Sequence, residues 1–343
     1  MLVRSRAPLR LGFGGGGSDL SPYCDLHGGY VLNATIDRYA YATLEPRLDA
    51  AVRFVATDRE ATWQGPAEDL GTPRGELALH RGVYNRIVRE FNAGRPLPLT
   101  VTTMADAPPG SGLGSSSTLV VAMIKAFVEL LNLPLGEYDI AHLAFEVERR
   151  DVGLSGGRQD QYAATFGGVN FMEFYAGERV VVNPLRIKNW ILAELEASIV
   201  LFYTGVSRAS ASIIDEQTRN IATPRATALE ATHRMKREAL HMKESLLRGD
   251  LRGFFAAINA CWEAKKETAQ GISNAGLEAV YRCAMEAGAR GGKISGAGGG
   301  GVMMFFADPE QRMQLSRALE RCGTGQVLPC HFTPYGTQGW KIV

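Results

Sequence analysis

Charge of either sign is never in surplus in this sequence. Thirty-seven lysines and arginines stand against 36 aspartates and glutamates, a formal net charge of +1. A chain so balanced lacks the broad basic footprint of a nucleic-acid binder, while a local basic pocket for a small anion is still allowed. Cysteine is scarce and scattered. Cys24, Cys261, Cys283, Cys322 and Cys330 form no CxxC, and no Cys/His group has the spacing of a zinc site. The expectation is five reduced thiols in a cytoplasmic protein. Long apolar runs are missing as well. The most apolar stretch, Leu119 to Leu131, is broken by Lys125 and Glu129 and is too short to span a bilayer, so no membrane partner is expected. The charged start, Met1 to Arg6, leads into no apolar run of the kind a secretory leader carries.

What is present is a globular composition, 45% hydrophobic and 21% charged, over 343 residues. That length suits two domains. Asn183-Pro184 closes a hairpin-like stretch from Gly167, so the boundary is placed there, with domains 1–185 and 186–343. Strands are expected over Val3–Leu11, Tyr30–Leu44, Leu97–Met104, Ile199–Tyr203, Val302–Phe306 and Gln326–Phe332. Helices are expected over Leu77–Asn92, behind the second glycine loop with Ser115, Ser116 and Ser117 in the first turn, over about Glu137–Arg150, through most of Ser210–Gly288 with breaks at Pro224, Gly249 and Gly271, and over Pro309–Cys322.

Glycine is the residue in excess, 39 in all, and it gathers at three junctions between elements. The first is Gly12-Phe13-Gly14-Gly15-Gly16-Gly17, after a strand. The second, Pro108-Pro109-Gly110-Ser111-Gly112-Leu113-Gly114-Ser115-Ser116-Ser117, opens directly into a helix whose apolar period is Leu119, Met123, Phe127 and Leu130. The third is Lys293-Ile294-Ser295-Gly296-Ala297-Gly298-Gly299-Gly300-Gly301, before a buried strand. A glycine loop lets the backbone approach a bulky anion, and a helix start adds unpaired N–H groups and the positive end of its dipole. The second loop is not a Walker A motif, because no Gly-Lys-Ser/Thr follows. Gly12-x-Gly14-x-x-Gly17, with Asp37 twenty residues on, imitates a dinucleotide fingerprint and would make the chain a nicotinamide-dependent oxidoreductase. That reading needs a helix between the glycines and the next strand, and Pro22 interrupts the short piece available. Three acids invite attention. Glu146 and Glu148 are two apart, so only one can face a given site. Asp160, beyond Gly156-Gly157, is expected in a turn that projects it into a cleft.

The three clusters together, with Arg6-Ala7-Pro8-Leu9-Arg10 leading the first and Ser18-Asp19 ending it, resemble in order the three motifs of the GHMP small-molecule kinases. The likeness covers nearly the whole chain. More narrowly, Arg10 to Asp19 with His27-Gly28-Gly29-Tyr30-Val31-Leu32-Asn33-Ala34 resembles a branch acting on D-glycero-D-manno-heptose 7-phosphate, which serves surface glycans. A fucokinase-like branch shares a related start. The resemblance implies an α+β fold with an N-terminal domain like ribosomal protein S5 domain 2, a ferredoxin-like C-terminal domain and an active site between them. It implies ATP and Mg²⁺ as cofactors and a sugar phosphate as partner, and it is compatible with a homodimer. It assigns Pro109, Gly110, Ser111, Gly112, Leu113, Gly114, Ser115, Ser116 and Ser117, with Gly296, Gly298 and Gly299, to ATP. It gives Ser116 and Glu148 to Mg²⁺, although the spacing to Asp160, one residue longer than in mevalonate kinases, leaves Glu146 open. Asp160 matches the acid facing the acceptor hydroxyl and Arg10 the basic, cationic residue beside it. Gly16, Ser18 and Asp19 match the sugar site. A phosphorylated acceptor also needs a cationic anchor. Thr204-Gly205-Val206-Ser207-Arg208, running into a helix, supplies one in Ser207 and Arg208, and Arg158 is the alternative. A non-catalytic binding module on the same fold is the other class; the intact Asp160, Ser116 and Glu148 set argues against it.

Overall fold

The first strand sets the layout. In β1 (Leu2–Gly14), Leu9, Leu11 and Phe13 are fully buried in one apolar cluster, whereas Arg10 and Gly12 line a cavity on the other side. The computed structural model describes residues 2–68, 70–108, 110–206, 210–222, 226–322 and 325–342. After β1 come a turn, the five-residue helix α1 (Tyr23–His27) and β2 (Gly29–Pro46), which returns antiparallel to β1. Two register shifts interrupt this pairing, between Pro8 and Arg10 and between Gly12 and Gly14, so the strand bulges on both sides of Arg10. The antiparallel return removes the dinucleotide reading, which requires parallel strands joined by a crossover helix.

β2 is long enough to serve two partners. Gly29–Ala34 pairs with β6 (Val169–Phe174), and Ala40–Pro46 pairs with β5 (Leu99–Ala105). Beyond β5 lie β3 (Ala51–Ala56), parallel to it, and β4 (Ala61–Pro66). Helix α2 (Ala78–Phe91) lies on the connection that makes the parallel pairing feasible. β7 (Val180–Pro184) closes the expected hairpin on β6. The helices α3 (Ser115–Leu131), α4 (Glu137–Glu146) and α5 (Gln159–Phe166) belong to this half, and α3 buries Val120, Val121, Met123, Ile124 and Phe127. α4 does not run on as an α-helix to Arg150. It passes into a π-helical turn, Val147–Asp151, with Val152 N–H bonded to Val147 O at 2.9 Å.

α6 (Asn189–Ser198) leads into a second sheet of β8 (Ile199–Tyr203), β9 (Gly291–Ile294), β10 (Val302–Phe306) and β11 (Gln326–Leu328). Its spatial order is β11-β8-β10-β9, fully antiparallel. Counted along the chain that is fourth, first, third, second, with helices between the first and second strands and between the third and fourth. This is the expected ferredoxin-like arrangement. Between β8 and β9 run α7 (Ser210–Ala222), α8 (Ala226–Arg248), α9 (Leu251–Lys266) and α10 (Ala275–Glu286); α11 (Arg312–Cys322) precedes β11. The starts of α9 and α10 are capped by their own N-cap side chains: Asp250 accepts from Gly253 N–H and Asn274 from Leu277 N–H.

The halves share a core. Leu9, Leu11 and Phe13 pack with Met235 and Met242 of α8, Phe254 and Ile258 of α9 and Phe306 of β10. The Phe13 ring meets Phe254 edge-on at 5.4 Å. The chain also ends on the sheet where it began, because β12 (Gln338–Ile342) lies antiparallel beside β1. Two expectations are corrected. The last strand was placed at Gln326–Phe332, but β11 stops at Leu328 and β12 follows it. The cysteines are not all free. Cys283 and Cys322 form a disulfide across the packed α10 and α11, while Cys24, Cys261 and Cys330 are buried thiols. A pair 39 residues apart follows no local spacing rule.

Candidate active site

A cavity of about 280 Å³ opens where the three glycine clusters meet. One wall is the start of α3. Gly110, Gly112 and Gly114 have φ of +73°, +78° and +77°, so the loop turns left-handed at every second residue. Gly114 is the helix N-cap and offers no side chain to the first-turn N–H groups of Ser115, Ser116 and Ser117, which line the cavity. The loop is clamped from behind. The Gly112 carbonyl accepts from an Arg10 guanidinium N–H at 2.6 Å and from Ser295 Oγ at 2.8 Å, and Val302 N–H donates to Ser111 O at 2.8 Å. A Cβ on Gly112 would run into the Ser295 carbonyl.

Arg10 also donates from Nε to Asp160 Oδ1 at 2.7 Å. Asp160 is not in a turn, as expected, but in the first turn of α5. Asp19 explains where α5 begins. Its Oδ2 accepts from the backbone N–H groups of Arg158 and Gln159 at 3.0 and 3.2 Å, and Oδ1 accepts from Gly17 N–H and Gln159 Nε2. A carboxylate at a helix N-terminus is held there by those donors and the helix dipole. Asp19 therefore both lines the cavity and positions the helix that carries Asp160.

Glu148 lies on the π-helical turn. Such a turn holds one residue more than an α-turn, so the segment absorbs a residue without breaking. Glu148 is 1% exposed, and its Oε1 accepts from Ser116 Oγ at 3.0 Å while Oε2 accepts from Gln161 Nε2 at 2.5 Å. Glu146 faces away, bound to Arg86 at 3.1 Å and Arg150 at 2.5 Å. Among the described residues, no three His, Cys, Asp or Glu side chains converge on a metal position. The Ser116–Glu148 pair supplies two hard oxygen donors beside a helix start, which suits an ion that completes its shell with phosphate oxygens and water, as magnesium does.

Several residues singled out from sequence lie elsewhere. Ser18 is fully buried and bridges to the Tyr30 backbone through its hydroxyl, so it does not face the cavity. Ser111 and Leu113 are buried beneath the loop rather than on it. Gly298 and Gly299 pack against Ile272; Gly299 N–H donates to Ile272 O at 2.8 Å, and of the third cluster's glycines Gly296 lines the cavity. Gly16 lines it too. Arg158 borders an adjoining cavity, with its guanidinium on Tyr175 O, Ser21 Oγ and Asp25. Pro109, Ser207 and Arg208 lie outside the described residues. Sequence reasoning missed Lys265 altogether and gave Lys293 no role, yet both line the main cavity. Lys265 sits on a helix far from any motif and carries no local signal. Lys293 opens the third cluster and was read only as its flank.

Residues 78–168 match the GHMP kinases N terminal domain and residues 242–324 the GHMP kinases C terminal domain. Over 340 residues the chain is 47% identical to a D-glycero-alpha-D-manno-heptose 7-phosphate kinase of Campylobacter jejuni, covering 99% of both proteins. It superposes on the crystal structure of a D-glycero-D-manno-heptose 1-phosphate kinase from Bacteriodes thetaiotaomicron with a TM-score of 0.85 and 44% identity, covering 99% of each chain. An L-fucokinase/L-fucose-1-P guanylyltransferase of Bacteroides fragilis is 26% identical over 346 residues, which span 93% of this chain and 36% of that protein.

Proposed function

This chain belongs to the GHMP kinases, and on that premise we propose that it moves the γ-phosphate of ATP to the C1 hydroxyl of D-glycero-D-manno-heptose 7-phosphate, yielding the 1,7-bisphosphate. The observation that carries this reading is the Arg10–Asp160 pair, set in the same cavity as the uncapped start of α3. The glycine loop and the α3 N–H groups receive the ATP phosphates. Ser116 and Glu148 would hold Mg²⁺, which when bound neutralises charge on the phosphate oxygens. Arg10 fixes Asp160 so that its other oxygen faces the acceptor. Asp160 takes the hydroxyl proton as the C1 oxygen bonds to the γ-phosphorus and the bond to the ADP oxygen breaks.

The acceptor's remote end needs room. A second cavity shares Asp19, Leu20, Arg149, Leu154, Ser155 and Gly156 with the first and adds Arg158. We place the sugar's own phosphate there, with Arg149 and Arg158 as its cations; a fucokinase-like acceptor would leave them nothing to hold. ATP dependence places the reaction in the cytoplasm, and no helix among the described residues is long and apolar enough to cross a membrane. We keep the domain boundary near residue 185, with β12 assigned to the first domain's sheet.

The two heptose relatives are named for acceptors phosphorylated at different carbons, so one assay decides both sugar and position. ADP release is followed with heptose 7-phosphate, heptose 1-phosphate, unphosphorylated heptose, fucose and galactose, and the product is read by phosphorus NMR. The expected outcome is turnover of the 7-phosphate with a new anomeric phosphate. Preference for fucose, or silence with every sugar phosphate, overturns the reading.

A further inference from the structure

Two buried cations at the cavity have no part in the steps above. Lys265, near the end of α9, is 5% exposed, and Lys293, on β9, is 4% exposed. Lys265 Nζ donates to the Gly296 carbonyl, and Lys293 Nζ donates to the Gly12 carbonyl at 2.7 Å. Among the described residues neither ammonium has a carboxylate within 4.0 Å. The charged and titratable groups facing Lys265 are Lys293, Cys261, Arg10 and Asp19; those facing Lys293 are Lys265, Cys261 and Arg10. Neither acid is free to serve them. Arg10 is matched by Asp160, and Asp19 already accepts four N–H groups from the α5 start and its neighbours.

A clasp on a carbonyl needs only a neutral donor. Burying an ammonium without a counter-ion is costly, and the group responds by giving up its proton. Burial, with the adjacent cations, pushes Lys265 down to about 7 and Lys293 down to about 8. Two such lysines, converging with an arginine on one cavity, form a site whose charge is completed by an incoming anion. We propose that Lys265 and Lys293 bind a phosphoryl group of the substrates and that they capture protons as it enters, so that binding is coupled to proton uptake. The identity of the ligand rests on the kinase reading; the anion chemistry does not. The phosphoryl group belongs either to ATP or to the acceptor, and separate titrations tell them apart.

The test is calorimetry on the full chain at pH 8, in buffers of different ionisation enthalpy. The ligands are β,γ-imido-ATP with Mg²⁺, heptose 7-phosphate alone, and tripolyphosphate with Mg²⁺. A phosphate monoester has its second pKa at about 6, and bound Mg²⁺ keeps the polyphosphates ionised, so at pH 8 the ligands supply no protons. From the starting values of about 7 and about 8, Lys265 is nearly empty and Lys293 half-filled at pH 8, so wild type should take up roughly one proton, about 1.4 at most, with the ligand that reaches the pair. Affinity for that ligand should fall by as much as about tenfold per lost proton for each pH unit above 8. Lys265→Met and Lys293→Met, which keep the volume and remove the charge, should each reduce the uptake, and Lys265→Arg should bind while taking up less. Zero uptake with every ligand overturns the proposal, as does full uptake in both Met variants. The wild-type measurement decides the matter even if a variant fails to fold. Failure of the kinase reading looks different: no ADP release with any sugar phosphate, while uptake on tripolyphosphate persists.

Discussion

Two parts of the cavity lining offer an anion different means of attraction. The α3 wall offers dipoles and hydroxyls from one continuous stretch, residues 110–117, with Glu148 accepting from Ser116 Oγ beside it. The remaining wall offers side-chain charge from β1, α9 and β9: Arg10, which also reaches the Gly112 carbonyl, Lys265 and Lys293. Dipoles and hydroxyls have no proton to lose in this range, so the glycine loop and the start of α3 hold an anion without titrating. Fixed charges in a buried place must be matched or surrendered. Arg10 is matched by Asp160; the lysines are not. Strength on this wall therefore depends on what is bound, and strength on the other does not.

The largest expected effect breaks the one matched pair. Asp160→Asn should lower kcat by about 10²–10⁴, the usual range for acid–base assistance, with ATP affinity and circular dichroism close to wild type. A kcat within threefold of wild type would remove Asp160 from proton transfer and leave Arg10 as an anion ligand only. Next comes a change confined to the metal side. Gln161→Leu removes the donor on Glu148 Oε2 and should raise the Mg²⁺ concentration for half-maximal rate by about 10–100-fold, while KM for the sugar stays put. A shift in sugar KM instead would mean that Gln161 serves α5 rather than Glu148.

A smaller effect separates loops that touch ligand from loops that touch protein. At Gly298, φ is +115° and a Cβ would stand 2.9 Å from the Ile272 backbone. Gly298→Ala should therefore cost roughly 1–3 kcal/mol of stability in thermal unfolding. Below the melting temperature it should leave ATP affinity nearly intact. Lost affinity in a fully folded variant would return this glycine to the nucleotide site.

The smallest effect is a slope. Burial pushes Lys265 down to about 7 and Lys293 down to about 8 in the folded chain, whereas an unfolded chain returns both to the ordinary lysine value of about 10.5. Between those values the unfolded chain binds more protons, so this contribution to stability rises with pH. Melting temperature of the ligand-free protein should climb from pH 7 to pH 9 more steeply in wild type than in the Lys265→Met/Lys293→Met variant. Identical slopes would place the titration elsewhere.

The contrast between the walls also explains what could be read from sequence. The α3 wall was legible because its parts are neighbours: glycines, serines and an apolar helical period announce a loop opening into a helix. The ferredoxin-like sheet followed from family resemblance, and its strand order agrees. Lys265 was invisible because only tertiary packing brings α9 to the third cluster. α5 was read as a turn because its cap, Asp19, is remote in sequence. Ser18, Gly298 and Gly299 were assigned to ligands because a motif shows which residues travel together, not which way each one points. β12, Gln-Gly-Trp-Lys-Ile, has no clean alternation, and its partner is at the other end of the chain.

That last pairing bears on how the protein comes into being. Leu2 stands opposite Ile342, and Arg6 opposite Gln338. During synthesis, this edge of β1 must wait for β12, which follows all the other strands described, to leave the ribosome. Throughout that interval it is an unpaired β edge, the kind of surface on which chains associate wrongly. The strand that waits also carries Arg10, so a nascent chain holds half of the Arg10–Asp160 ion pair on an unpaired edge. Joining the adjacent ends and reopening the chain in a surface loop would let β12 and β1 emerge together. Such a permutant should leave a larger soluble fraction on cell-free synthesis than the natural order, and refolding of the two purified full-length chains should differ less.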